Sequence, residues 1–434
     1  KLTSGAVTTA KIADDNVTAA KISNNEDFTI NNVTVGKGAN SVTRNTVLGE
    51  SALDAAVTGG DNTAIGALTL TLNTSGAYNT AVGSAALDAN TTGGANVAIG
   101  QGSLSSSTTA SNNTAVGTGS MNQNTTGPNN TAVGYNALTA NTDGSYNTAL
   151  GDRACYTQAS AGYNTGVGHA ALYANTTGAN NTAVGVQTLD ANTTASNNTA
   201  VGAAALGANT TGTGNTAVGR ETLDANTTGN YNTGLGLNAL GANTTADNNT
   251  AVGFGALTAN TTGSNNTATG VNALNANTEG LLNAAFGRLA LSANTTGDYN
   301  VAVGQGALEA NTTANYNTAV GNQALQANTT GSQLVAIGSR ALESNTTASN
   351  NVGIGYSAVR ETTTGANNIG IGVDALQQNT TGEYNVAIGT GALDANTTGN
   401  QNIAVGKGAL TANTTGGNNT VVGYNSGSAI TTGG

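Results

Sequence analysis

Aliphatic and polar positions recur along the chain at a step of 17. Written from its leading asparagine, each turn reads N-T-A-V-G-x-x-A-L-x-A-N-T-T-G-x-(N/Y), and positions 1 to 17 refer to that frame. The motif starts at Asn181, Asn198, Asn215, Asn232, Asn249 and Asn266. The same phase holds without insertion or deletion for 23 turns, from Asn45 to Asn419, and only Leu334 replaces the leading Asn. Position 4 is aliphatic almost throughout (Leu48, Ile65, Val82, Ile99, Val116), with Phe286 and Thr269 as departures. Position 9 is Leu in most turns, with Met121, Cys155 and Val359 as substitutes. Position 5 is Gly in all 23 turns, which predicts a positive φ or a close backbone approach. Position 15 is Gly in 17 turns and Ala in six, so smallness governs there. Positions 6, 7, 10 and 16 accept almost any residue and read as solvated.

The period excludes a helix. Seventeen residues make about 4.7 helical turns, so the aliphatic positions would drift around the axis. The segments between glycines are rich in Thr, Val and Asn, which are poor helix formers. The pattern predicts an all-β chain: a parallel β-solenoid of 17-residue turns, with two short strands per circuit broken at Gly-x-x and Thr-Thr-Gly. In-register stacking would place Asn at position 1, and Asn at position 12 in 18 of 23 turns, in amide ladders. At about 4.8 Å per stacked strand the rod would be on the order of 110 Å long.

Strand alternation puts positions 2 and 4 on one face and position 3 on the other. With the aliphatic position 4 taken as the inside, position 3 faces out. It is Ala in most turns, with Gly166, Gly234, Gly353, Gly370, Val47 and Val421 as replacements. A small, uncharged outer stripe reads as a packing seam, and closed association of identical chains would bury it.

Composition agrees with a thin repeating core. Charged residues are 8% of the 434 and aromatics 3%, with no Trp and one Pro beside 62 Gly, whereas charged residues are roughly a quarter of a typical domain. Low-complexity disorder would not keep the aliphatic phases so regularly. A formal net charge of −11 without Lys or Arg clusters argues against nucleic acid and anionic membranes as partners. No stretch approaches a membrane span, and none reads as a signal peptide. The chain begins at Lys1, which leaves a preceding segment open, as is a receptor-binding tip beyond Gly434.

No constellation points to catalysis, a cofactor or a metal. The single His169 sits at the variable position 6 and reads as a surface residue. Cys155 stands where other turns carry Leu and reads as a small buried hydrophobe. Carboxylates at position 10 (Asp54, Asp88, Asp190, Asp224, Glu309, Glu343, Asp394) never fall on adjacent turns, a pattern of avoided repulsion. All twelve tyrosines occupy three positions. Tyr135, Tyr356 and Tyr424 are at position 6, and Tyr156 and Tyr173 at position 10. Tyr78, Tyr146, Tyr163, Tyr231, Tyr299, Tyr316 and Tyr384 are at position 17. The last seven either cover the turns or offer amphipathic contacts to a glycan or protein. Asn-Thr-Thr matches the N-glycosylation sequon in most turns, incidentally in a bacterial or phage setting.

The Asn-Thr-Ala-Val-Gly motif followed by Ala-Leu resembles the head repeat of YadA-type trimeric autotransporter adhesins, most closely at Asn96-Val97-Ala98-Ile99-Gly100 and Asn385-Val386-Ala387-Ile388-Gly389. The likeness covers roughly residues 32 to 423. It implies a left-handed parallel β-roll, a homotrimer, intertwined or side by side, and adhesion. The repeat is longer than the family's, through the Ala-Asn-Thr-Thr-Gly arm, and neither anchor barrel nor coiled-coil stalk is visible. Val7-Thr8-Thr9-Ala10-Lys11-Ile12 recurs ten residues on as Val17-Thr18-Ala19-Ala20-Lys21-Ile22. That pattern resembles bacteriophage tail-fibre connectors, and the array itself resembles phage fibre sequences.

The expected organisation is a connector over 1–27, a transition with a short first turn over 28–44, a solenoid over 45–423 and an exit segment over 424–434. The expected role is a phage tail-fibre shaft in the virion that mediates or presents host attachment. Its partners would be copies of itself, tail or baseplate proteins through the N-terminus, and a host glycan or protein. A bacterial cell-surface adhesin or extracellular filament is the alternative, and an ice-binding solenoid a further one. Against ice binding, the paired threonines of the Asn-Thr-Thr-Gly arm are adjacent rather than alternating on one strand face.

Overall fold

In the computed structural model residues 27–433 are described, Phe28 by its backbone alone. The ten-residue repeat of the expected connector lies outside them. The chain divides into two compact units, Lys1–Asn164 and Thr165–Gly434.

In the first unit β1 (Phe28–Ile30) and β2 (Val33–Gly36) form an antiparallel hairpin, and β2 pairs antiparallel with β3 (Thr46–Gly49). Parallel strands follow β3 at 17-residue steps, from β4 (Thr63–Ile65) to β9 (Thr148–Leu150), with identical positions in register. The segment expected to form a short first turn is therefore a hairpin that covers the edge of the first turn, a site otherwise open to strand addition. The second unit repeats the parallel pattern from β10 (Thr165–Val167) to β25 (Thr420–Val422). The expected exit segment continues the coil: Leu410 N–H donates to the Ser426 carbonyl (3.0 Å), and Thr414 N–H to that of Thr431 (2.9 Å).

The fold is the expected parallel β-solenoid, with one strand per turn instead of two. Positions 2 to 4 are extended, whereas positions 7, 9 and 17 take left-handed backbone: Ala85, Leu87 and Ala95 have φ of 54°, 54° and 55°. Such residues curl the chain and prevent a second strand. Left-handed geometry costs about 1–2 kcal/mol for a residue with a Cβ, so the turns must hold it in place. They do so through hydrogen bonds between neighbours: Leu87 N–H reaches the Ser103 carbonyl at 3.0 Å, and Ala85 N–H that of Ala67 at 2.9 Å. Gly at position 5 meets both sequence expectations. Gly219 has φ 134°, and a Cβ there would sit 2.7 Å from the backbone carbon and oxygen of Gly236 in the next turn.

The inside and outside of the strand are the reverse of the sequence expectation. Position 3 is sealed in the core: Ala64, Ala81, Ala217 and Ala251 are wholly buried. Position 4 faces out, with Val218 38% and Ile337 41% exposed. Position 9 explains the inversion, because its Leu points into the coil and leaves only a methyl's width opposite. A Cβ on Gly353 would lie 3.2 Å from Leu342 Cγ, and one on Gly370 would collide with Val359 Cγ2. Small residues at position 3 thus reflect close packing and not an outer seam. In the final turn the exchange is reciprocal: Gly427 takes position 9, and Val421 at position 3 fills the space beside it.

Two asparagine ladders complete the core. Asn79 Nδ2 and Asn90 Nδ2 both donate to the Gly93 carbonyl at 3.0 Å. Asn79 Oδ1 accepts from the Asn96 backbone N–H at 3.0 Å, and Asn90 Nδ2 also donates to Asn73 Oδ1 at 2.8 Å. The threonines of position 13 add an outer ladder, as in Thr91 Oγ1 to the Thr108 carbonyl at 3.0 Å. Where the motif fails, in Gln158-Ala159-Ser160-Ala161, Gln158 takes the buried place of Asn and donates to the Ala161 carbonyl at 3.1 Å.

Candidate functional site

Two surface features stand out: the tyrosines of position 17 and the outward strand face. Tyr78, Tyr146, Tyr163, Tyr231, Tyr299, Tyr316 and Tyr384 are all exposed, each on a left-handed residue that projects its ring from the turn. Two pairs come together. Tyr146 and Tyr163 stack in the first unit with ring centroids 5.0 Å apart and planes 10° from parallel; Tyr299 and Tyr316 stack in the second at 5.1 Å and 9°. Tyr231 lies over Gly214, where a Cβ would come within 2.8 Å of its ring. Part of each paired ring is thus spent on its neighbour, and what remains open is its other surface and the hydroxyl edge.

The outward face was missed from sequence. It consists of positions 2 and 4, so Thr216 and Val218 look out on either side of buried Ala217. Across the 23 turns these two positions hold 46 residues, none of them Asp, Glu, Lys, Arg or His. In five successive turns both are aliphatic: Val335 and Ile337, Val352 and Ile354, Ile369 and Ile371, Val386 and Ile388, Ile403 and Val405. A readable signal did exist. Position 4 tolerates volumes from Thr269 to Phe286, which a close-packed interior would not, whereas position 3 is almost confined to Gly and Ala.

Cys155 is wholly buried, and burial pushes its thiol up to about 12, so it is held as the thiol and not the nucleophilic thiolate. His169 is exposed, as expected. At position 10, burial raises the carboxyls of Asp88, Asp190, Asp224 and Asp394 above the ordinary carboxylate value. Intervening turns separate the carboxylates with compatible partners: Gln326 Nε2 donates to Glu309 Oε2, and Arg360 Nε to Glu343 Oε2, both at 2.7 Å. Among the described residues no three His, Cys, Asp or Glu side chains are grouped to hold a metal ion. None of the described helical segments is long and apolar enough to cross a membrane. No protein-family model matches the chain, and no curated protein is similar to it.

Proposed function

We propose that the chain is a structural shaft segment of a phage tail fibre that assembles with copies of itself and presents a host-attachment surface. The observation that carries the reading is the uncharged, largely aliphatic strand face that one chain leaves open to water. Sixteen strands, β10 to β25, line it in the second unit. At about 4.8 Å per strand and about 10 Å of strand width that is roughly 770 Å², close to the ~800 Å² that one side of a standard interface buries, shared in a trimer between two neighbours. A face without charge meets its own copy without like-charge penalty. The homotrimer is therefore assigned to positions 2 and 4, and the seam expected at position 3 is withdrawn.

The phage assignment rests on the resemblance of the array and of the ten-residue N-terminal repeat to tail-fibre sequences. It places the chain in the virion, joined to tail or baseplate proteins through the N-terminus. The exposed tyrosines of position 17 are the surface proposed to meet a host glycan or protein. Light scattering on the purified chain should give three times 42.0 kDa, and gold-labelled antibody should mark the tail fibres of virions. A stable monomer would remove the assembly reading, and unlabelled virions with labelled bacterial surfaces would favour the adhesin alternative.

Ice binding has one observation in its favour. Threonines of position 2 face outward beside branched aliphatics, as Thr165 and Val167 do. The row is interrupted from Val335 to Ile403, where Val or Ile replaces Thr in five successive turns. Thermal hysteresis of the purified chain tests it.

A further inference from the structure

A face built of near-identical turns has a registration problem. Two copies packed through positions 2 and 4 could slide by one turn, about 4.8 Å, and recover almost the same contacts. Something aperiodic must fix the offset. In the second unit one site breaks the pattern in both volume directions at once. At β17 (Ala284–Phe286) position 4 holds the only aromatic residue found at either outward position of the array, Phe286, which is 42% exposed. Its surroundings are the smallest on the face. Ala284 replaces the usual Thr or Val at position 2 of the same strand. Thr269, in register with Phe286 on β16 (Thr267–Thr269), replaces the aliphatic of position 4. A large ring thus stands beside Ala284, the one position 2 of the array reduced to a methyl group.

We propose that Phe286 and Ala284 are the axial register key between copies of the chain: the Phe286 ring of one copy seats over Ala284 of the next at the same height. This rests on the self-association reading above and adds what that reading lacks, a reason for one offset to win. In register, every ring finds a methyl-sized neighbour. Slipped by one turn either way, the ring meets the branched Thr267 or Val301 at position 2 and no ring covers Ala284, so overpacking and a void are incurred together. The logic is that of a single aperiodic core residue setting alignment in a coiled coil.

The test uses full-length chains carrying Cys155→Leu, which puts at that position the residue most turns have. Single cysteines are introduced at Ile354, Ile371 or Ile388 on the outward face, and the variants are co-expressed in pairs and oxidised. With Phe286 present, same-position disulfides should exceed those offset by one or two turns by about tenfold or more, the ratio that seating one large apolar side chain supports. In Phe286→Val, a residue many turns carry at that position, same-position and offset disulfides should fall within about threefold of each other while light scattering still reports the same oligomer. A preference that survives Phe286→Val overturns the register key and leaves self-association standing. Disulfides that pair opposite ends of the series, as antiparallel packing would give, overturn it as well. A monomer without cross-links overturns self-association itself.

Discussion

Replacing Ala217 by Val adds two methyl groups at a wholly buried site, while replacing its neighbour Val218 by Thr exchanges one methyl for a hydroxyl at a site 38% exposed. Ala217 is in register with Ala200 and Gly234 in the adjoining strands. The equivalent position in another turn, Gly353, has room for a Cβ only 3.2 Å from Leu342 Cγ. Overpacking of this kind costs about 1–3 kcal/mol, whereas an exposed near-isosteric change stays within about 0.5 kcal/mol. Stability in a stacked array is local to a turn and its neighbours, so a whole-chain melt would dilute the effect. Hydrogen exchange of backbone amides in the turns around 200–236 reads it directly. At about 1.4 kcal/mol per factor of ten, Ala217→Val should lower protection by roughly 5- to 150-fold, and Val218→Thr by no more than about twofold. The comparison is made at one association state, since Val218 also lies on the proposed contact face. If Val218→Thr loosens these turns by tenfold while Ala217→Val leaves them unchanged, the assignment of position 3 to the interior is wrong.

Three further outcomes follow from the same packing. Gly219→Ala should open its turn by several kcal/mol, because strained backbone and overpacking each cost about 1–3 kcal/mol; exchange in 215–240 checks it. Asn226→Ala removes donors to Asn209 Oδ1 at 2.9 Å and the Gly229 carbonyl at 3.0 Å, and the acceptor for Asn243 Nδ2 at 2.9 Å. At about 1 kcal/mol per hydrogen bond, with more for any group left unsatisfied, the loss should be about 3 kcal/mol or greater and confined to the neighbouring turns. The carboxyls of Asp190 and Asp224 have raised folded-state values, chiefly through burial. Their ionisation therefore opposes folding: the stability they contribute is full below the unfolded carboxylate value and falls as pH rises through the folded value. Melting of the Asp190→Asn, Asp224→Asn chain should lose less stability than the wild type between about pH 4 and 7.

The sequence by itself determined the period, the stacking in register, the glycine demanded at position 5 and the two asparagine ladders. Each of these depends on identical residues lying above one another, and identity at a fixed spacing is visible in one dimension. The smallness of position 15 was legible for the same reason, since Ala substitutes there without left-handed backbone. The tyrosines were legible as a surface feature because none replaces a core residue, but only the folded turns bring Tyr146 onto Tyr163 and Tyr299 onto Tyr316. Which face of the strand is inside was decided by tertiary structure alone. Alternation gives two faces without naming the inner one, and hydrophobicity points to the bulkier Val and Ile of position 4. The left-handed residue at position 9 turns a Leu across the coil toward position 3, so between stacked turns the narrow interior admits Ala or Gly there, with Val only in the first and last turns, and the larger aliphatics are left outside. That geometry places the uncharged strand face, with Phe286 on it, on the surface.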